Sequence, residues 1–494
     1  MNFVIKKISN ILILSALAFS CSNDDINSPD EGSSTQHSNV EFLRTPDERF
    51  ENLDGYDFEP NYVYVDDFED GKLRMHYLDE GPENAPTIFL IHGNPTWSYQ
   101  FRDVIRLFNE AGYRTIAIDL MGTGRSDKPV DLEYYTYDRH VKWVAQLFEQ
   151  IDSDLQLGQV SIFGHDYGTP IGIRLMHEYF PSRFDSFINA NASLPDGTFI
   201  SPVHLNWREF VRDNPNVPVG NVISSQVNPA LSQSEIDSYN APYPDVNYKA
   251  AIRSFPEMVP DSPNRPEAIA NNNAWQFMEG FHKPFMTIFG SVDSNVFDAR
   301  IDFIDRIPGA YGQPHPQLEV THYAPEDKPI AVAEQAITFL NDVYGNSTFN
   351  TVSYSDFSDG FQDFCNARTH TFYNPSLEAI ALQGNNGNNS SISQTSSMNI
   401  QNIEILKIAF RYISSEMIAN DAFYIELWNG SEWLTLCSFE YEEDFSNTVK
   451  DYGFARIEND GNLFTNDAKI RVRNASNNSD GKLFLLDIAI YTSD

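Results

Sequence analysis

From Tyr62 onward, short apolar runs alternate with stretches whose apolar positions recur at helical spacing. Tyr62–Val65 and Leu73–Leu78 flank the turn Glu69-Asp70-Gly71 and predict a hairpin. Unbroken apolar runs at 87–91, 115–118, 160–163 and 186–189 predict strands buried on both faces. Helical spacing over 101–111 and 139–151 separates them, so the pattern predicts a mostly parallel sheet with helices on both faces. After Leu194 the alternation pauses. Residues 195–282 carry many prolines and helix-like patches such as 235–239, without a clear strand, and read as a helical cap inserted into the sheet domain. Strands resume at 285–289 and 318–320, and 331–343 predicts a closing helix. The sheet domain then comprises residues 46–194 and 283–346.

Beyond Tyr344 the helical period vanishes. Ala422–Trp428 and Glu432–Ser438 surround Asn429-Gly430, a hairpin signal, and 469–472 and 482–491 extend the pattern. Residues 353–494 therefore predict a separate all-β sandwich, with the low-complexity stretch 383–397 as a surface loop.

The N-terminus follows different rules. Lys6 and Lys7 precede an apolar run, Ile8–Phe19, that is too short to span a bilayer, and Ser20 precedes Cys21. Residues 1–20 predict a signal peptide, and Leu17–Cys21 resembles a bacterial lipoprotein cleavage box, which implies lipidation of Cys21. Ser22-Asn23-Asp24-Asp25 resembles the acidic surface-export tag of Bacteroidetes lipoproteins. Residues 21–45 then form a polar tether, and the expected location is the outer membrane or cell surface, held by the lipid alone. In an oxidising compartment Cys365 and Cys437 could pair, closing a loop of roughly 70 residues for ~4 kcal/mol at most.

The chemistry gathers at strand ends. Gly164-His165-Asp166-Tyr167-Gly168 joins a predicted strand to a predicted helix, the outline of a nucleophile elbow with aspartate in its centre. A carboxylate can displace a leaving group from saturated carbon and become an alkyl ester, which water cleaves at the carbonyl. A serine would give an ether, a dead end. Asp293 follows the strand 285–289 and His322 follows the last strand, so nucleophile, acid and histidine stand in the chain order of the α/β-hydrolase triad. His322 would activate the water, and Asp293 would fix its tautomer. His92-Gly93-Asn94-Pro95 follows the strand 87–91, where the backbone N–H groups of Asn94 and Tyr167 would face the ester oxygen.

Residues 48–345 resemble the haloalkane dehalogenases, the aspartate-nucleophile branch of the α/β-hydrolase fold. The resemblance rests on His92–Tyr99, Asp119–Pro129, the elbow, His322–Asp327, and Ser238–Asp245 with Phe255-Pro256 in the cap. It implies an α/β-hydrolase domain with an inserted cap and hydrolysis of small haloalkanes without a cofactor. The cap similarity favours the subgroup whose catalytic acid follows the seventh strand, which implies Asp293; in another subgroup a Glu after the sixth strand serves, and the matching position here holds Ala190. The family's tryptophan after the nucleophile is replaced by Tyr167, and a cap tryptophan expected near Val227 is absent. Asn94 and Tyr167 are then the candidates to hold the leaving halide.

Two rival readings stand beside this one. Epoxide hydrolysis uses the same triad with proton-donating cap tyrosines, for which Tyr239, Tyr243 and Tyr248 are candidates. A non-catalytic surface protein could use Tyr424, Trp428 and Trp433 of the sandwich to stack on a glycan or other surface polymer. With 70 acidic and 33 basic residues the formal charge is −37, which argues against a nucleic-acid partner. No zinc-type spacing of His, Cys and carboxylates occurs, so no metal cluster is apparent, and the acidic loops of the sandwich permit, without requiring, a calcium site.

Overall fold

The computed structural model describes residues 39–493 apart from 294–295, 297–298, 346–347, 367–369, 385–388, 443, 448–449, 460 and 462. The signal peptide, Cys21 and the tether as far as residue 38 lie outside the described residues.

The apolar runs assemble into one sheet. Its strands are β1 (Asn61–Asp66), β2 (Lys72–Glu80), β3 (Thr87–Ile91), β4 (Arg114–Ile118), β5 (Val160–His165), β6 (Ser186–Ala190), β7 (Phe285–Gly290) and β8 (Gln317–Leu318), in the order β8-β7-β6-β5-β3-β4-β2-β1. β1 and β2 form the expected hairpin, β2 runs antiparallel to β4, and the remaining neighbours are parallel. Every residue of β3 to β7 is buried, because helices cover both faces. β3 shows the split: Phe89 and Ile91 enter one apolar cluster, Ile88 and Leu90 the other.

Helices α1 (Arg102–Glu110), α2 (Tyr137–Leu155) and α3 (Gly168–Glu178) follow β3, β4 and β5. α2 starts where the Thr136 hydroxyl accepts from the Arg139 N–H at 3.1 Å, and stops at Gln156 in the left-handed conformation. After β6 come α4 (Pro202–Asp213), α5 (Val219–Ser224), α6 (Gln233–Asn240), α7 (Ala250–Met258) and α8 (Pro266–Met278). Ser232 and Glu235 close a reciprocal capping box at the start of α6. α8 packs on α3 beside the sheet, its Trp275 ring 4.9 Å from Phe303. α9 (Ala299–Arg306), the single turn α10 (Ala324–Asp327) and α11 (Pro329–Tyr344) complete this part, with α11 lying beside α1.

The C-terminal strands are β9 (Phe349–Ser355), β10 (Phe364–Asn366), β11 (Thr371–Asn374), β12 (Ala379–Gln383), β13 (Ser390–Gln394), β14 (Ile405–Ser415), β15 (Ala422–Trp428), β16 (Trp433–Glu440), β17 (Lys450–Glu458), β18 (Lys469–Asn474) and β19 (Lys482–Ser493). They form one sheet of order β11-β12-β19-β14-β17, with β9 also on β19, and another of order β10-β13-β18-β15-β16. Facing rings such as Phe410 and Phe423, 5.9 Å apart, fill the space between them.

Two expectations change here. Within the stretch 383–397 read as a loop, Ser390–Gln394 is an interior strand, with Ile392 in the core and Ser390 and Ser391 buried. Polar composition hid it, because a strand paired on both sides satisfies its backbone whatever its side chains. Cys365 and Cys437 are both free, on β10 and β16 at opposite edges of one sheet. Four strand spacings put them about 19 Å apart, against the 4.4–6.8 Å between Cα atoms that a disulfide allows.

Candidate active site

The parallel strands end in register: Ile91 pairs with Ile118 and Gly164, and His165 pairs with Ala190. The residues that follow them, Asn94, Asp119, Asp166 and Asn191, are thereby collected at one end of the sheet, where open α/β sheets bind ligands. Asp166 turns the chain from β5 into α3 with φ 50°. That left-handed backbone costs a non-glycine residue about 1–3 kcal/mol, and it lifts the carboxylate above the sheet. Space for it comes from its neighbours: a Cβ on Gly93 would lie 2.3 Å from Asp166 Oδ2, and one on Gly168 1.9 Å from the Ile91 carbonyl oxygen.

The four residues singled out in sequence converge. Asp166 Oδ2 accepts a hydrogen bond from the Asn94 N–H at 2.9 Å, and Oδ1 lies 3.6 Å from His322 Nε2. His322 Nδ1 lies 2.8 Å from Asp293 Oδ2. The Asp166 side chain is 16% exposed and His322 12%, so both are within reach of a ligand. Burial opposes charge on the ring, but Asp293 and Asp166 outweigh it and raise His322 to about 10. Burial likewise opposes the Asp166 carboxylate, and the His322 imidazolium holds its pKa below the ordinary value. The resting site is an ion pair.

Other residues had no role assigned to them from the sequence. Asn191 Nδ2 donates to the carbonyls of Thr321 and His322 at 2.8 and 2.9 Å, while its Oδ1 accepts from the Gly290 N–H at 2.7 Å. His165 Nε2 lies 2.8 Å from the His322 carbonyl, and Gln100 Nε2 3.1 Å from His165 Nδ1. Burial lowers His165 to about 4, so it is neutral. His92 Nε2 accepts from the Leu120 N–H at 3.0 Å and ties the Asn94 loop to the next strand end. Buried Asp119 accepts from His76 at 2.7 Å and from the Ser98 and Arg125 N–H groups at 2.8 Å. Each of these except Gln100 ends a strand or stands within one residue of its end, a position that could have flagged them.

A cavity of about 440 Å³ opens onto Asp166, with Tyr137, Tyr167, Pro170 and His204 in its wall. The Asn94 side-chain amide is buried with no hydrogen-bond partner among the described residues. The Tyr167 hydroxyl donates to the Phe255 carbonyl at 2.8 Å, one of the carbonyls left open at the end of α7. Its proton is thus engaged, contrary to its expected place beside a leaving halide.

The three cap tyrosines are elsewhere. Tyr239 bonds Glu326 and packs edge-on against Tyr99, Tyr243 is buried, and Tyr248 packs at the edge of the same apolar cluster; none lines the cavity. The Tyr239 hydroxyl is engaged by Glu326, whereas that of Tyr243 is buried with no hydrogen-bond partner among the described residues. Val227 joins that cluster too. Tyr424, Trp428 and Trp433 stand half-buried on the outer face of the sandwich, where Arg473 and Arg471 lie 4.1 Å and 4.2 Å over the rings of Tyr424 and Trp433. Among the described residues no group of His, Cys, Asp and Glu is arranged to hold a metal ion.

Residues 86–280 match a family described as having the alpha/beta hydrolase fold. Haloalkane dehalogenases of Mycolicibacterium paratuberculosis and Psychrobacter cryohalolentis are each 42% identical to this chain, over 298 and 307 residues. These matches take in 60% and 61% of this chain and 97% and 99% of the relatives. A solved haloalkane dehalogenase from Paraglaciecola agarilytica NO2, described as tetrameric, is similar with a TM-score of 0.56 at 30% identity, covering 60% of this chain and 98% of that one.

Proposed function

Because the chain belongs to the haloalkane dehalogenase family, we propose that it hydrolyses small haloalkanes through an alkyl ester on Asp166. The observation that carries this reading is the division of labour at one carboxylate: Oδ2 is held by the Asn94 N–H while Oδ1 is free for attack beside His322 Nε2. Oδ1 displaces the halide from the substrate carbon, and the C–X electron pair departs with the halide. The Asn94 side-chain amide, buried without a hydrogen-bond partner among the described residues, is the proposed donor to it. Alkylation removes the charge of Asp166, so His322 keeps only one anionic neighbour and its pKa falls. The neutral ring then takes a proton from water, whose oxygen adds to the ester carbonyl. The oxyanion so formed is met by the Asn94 N–H, with the Tyr167 N–H as the expected second donor. Collapse expels the alkoxide, which takes the proton from His322 and leaves as the alcohol; the proton remaining on the Asp166 carboxyl then passes to His322 and restores the carboxylate.

The test is intact-mass and peptide mass spectrometry of His322→Gln after incubation with bromoalkanes. The expected result is one added alkyl group on the peptide carrying Asp166, together with loss of steady halide release. An unmodified protein across a panel of bromo- and iodoalkanes would overturn the reading. Export and lipidation at Cys21 are proposed on the leader sequence alone; Cys21→Ser should move the protein from the detergent phase to the aqueous phase.

A further inference from the structure

α9 has two working faces. Ala299, Asp302, Phe303 and Arg306, at helical spacing, line the cavity above Asp166. Arg300, Ile301, Ile304 and Asp305, on the other side of the same two turns, meet the β-sandwich. Ile304 is buried with Ala409 and Tyr452, and Ile301 packs against the same group. Arg300, 3% exposed at its side chain, pairs with Asp451, and Asp305 pairs with Lys450 at 2.6 Å and Arg411 at 3.2 Å. The turn after α9 is fixed too: Tyr311 donates to Asp487 at 2.6 Å, and the Gly312 N–H donates to the Tyr452 hydroxyl at 3.0 Å. A domain carried on a flexible linker would not bury Arg300 and Ile304 against its neighbour. The described residues in fact cluster as a single compact unit.

The curated relatives match this chain over about 300 residues while being covered almost completely, a length that leaves no room for the sandwich. One wall of the cavity therefore rests on a domain those relatives lack. An eight-residue helix has few internal hydrogen bonds to hold it and takes its position from what packs on it.

We infer that the sandwich is a brace for the active site: by clamping the outer face of α9 it sets the wall of the substrate cavity, with Arg300 and Ile304 as positioning residues. The inference deepens the dehalogenase reading, but its first test needs no substrate. The brace should show in the full-length chain as slow hydrogen exchange over 299–306. Asp451→Ala and Tyr452→Ser, both on the sandwich side, should speed that exchange about tenfold while α2 is unchanged. The exposed far-sheet substitution Thr435→Ala should leave it as in the parent.

The second readout is chain-length preference. The ratio of kcat/KM for a long to a short bromoalkane should move about fivefold or more in Asp451→Ala, and stay with the parent in Thr435→Ala. Unchanged exchange over α9 would overturn the inference, as would faster exchange with an unmoved chain-length ratio. A parent that releases no halide from any haloalkane would instead overturn the dehalogenase reading, and the exchange measurement alone would still decide the brace.

Discussion

The side-chain amide of Asn191 donates to the backbone carbonyl of His322 at 2.9 Å. The same amide also holds Thr321 and, through its oxygen, the N–H of Gly290 at the end of β7. One buried side chain thus spaces the histidine loop from the strand that leads to Asp293. Replacing it by alanine leaves buried backbone groups unpaired. Asn191→Ala should lower stability by about 2–3 kcal/mol in denaturant unfolding. It should also slow halide release at least ~10-fold by loosening His322 against Asp166.

Gly93 touches the nucleophile from the other side. A Cβ there would overlap Asp166 Oδ2, and relief requires moving the Asn94 N–H away from the carboxylate. Gly93→Ala should therefore lose about 10²–10³ in turnover, the value of one oxyanion donor, while far-ultraviolet circular dichroism stays that of the parent.

Tyr167 and Asn94 should separate in their dependence on the leaving group. The Tyr167 hydroxyl serves the Phe255 carbonyl. Tyr167→Phe should slow chloride, bromide and iodide substrates by a common factor and cost about 1 kcal/mol of stability. The Asn94 amide has no partner among the described residues. Asn94→Leu, measured on the alkylation step, should slow the chloride most and the iodide least, since iodide needs the least help in leaving.

The ion pair at the site links pH to stability. His322, raised from the usual imidazole value near 6.5 to about 10, stabilises the fold fully below pH ~6.5 and loses that contribution as pH rises toward 10. Asp166 is shifted the opposite way, so its contribution is present above the ordinary carboxylate range and lost on acidification. The melting temperature should fall between pH 7 and 10, and fall less in His322→Gln. In stopped-flow experiments alkylation should be flat over pH 7–9, whereas ester hydrolysis should rise with pH as His322 deprotonates.

The candidate site was legible in the sequence because its residues stand after strand ends. A buried parallel strand announces itself as an unbroken apolar run, and whatever polar residue follows it must stand at the sheet's edge. That is why Asp166, Asp293 and Asn94 stand out in the sequence, while His322 follows a half-buried two-residue strand and is marked by its place after Asp293 in the chain order. His165 and Asn191 obey the same rule, but nothing local distinguishes a residue that holds a catalytic group from one that merely turns the chain.

Three matters were settled only by tertiary packing. Ser390–Gln394 is a strand because β10 and β18 flank it, although its own composition is that of a loop. Tyr167 and Tyr239 have hydroxyl partners far away in the chain, Phe255 and Glu326, and so leave the roles their positions suggested. The sandwich meets α9 through pairs such as Arg300 with Asp451, 151 residues apart. Local sequence fixes backbone period and turn chemistry, whereas the partner of a side chain depends on how distant segments are brought together. The first determined which groups could react here; the second decided which of them are free to do so.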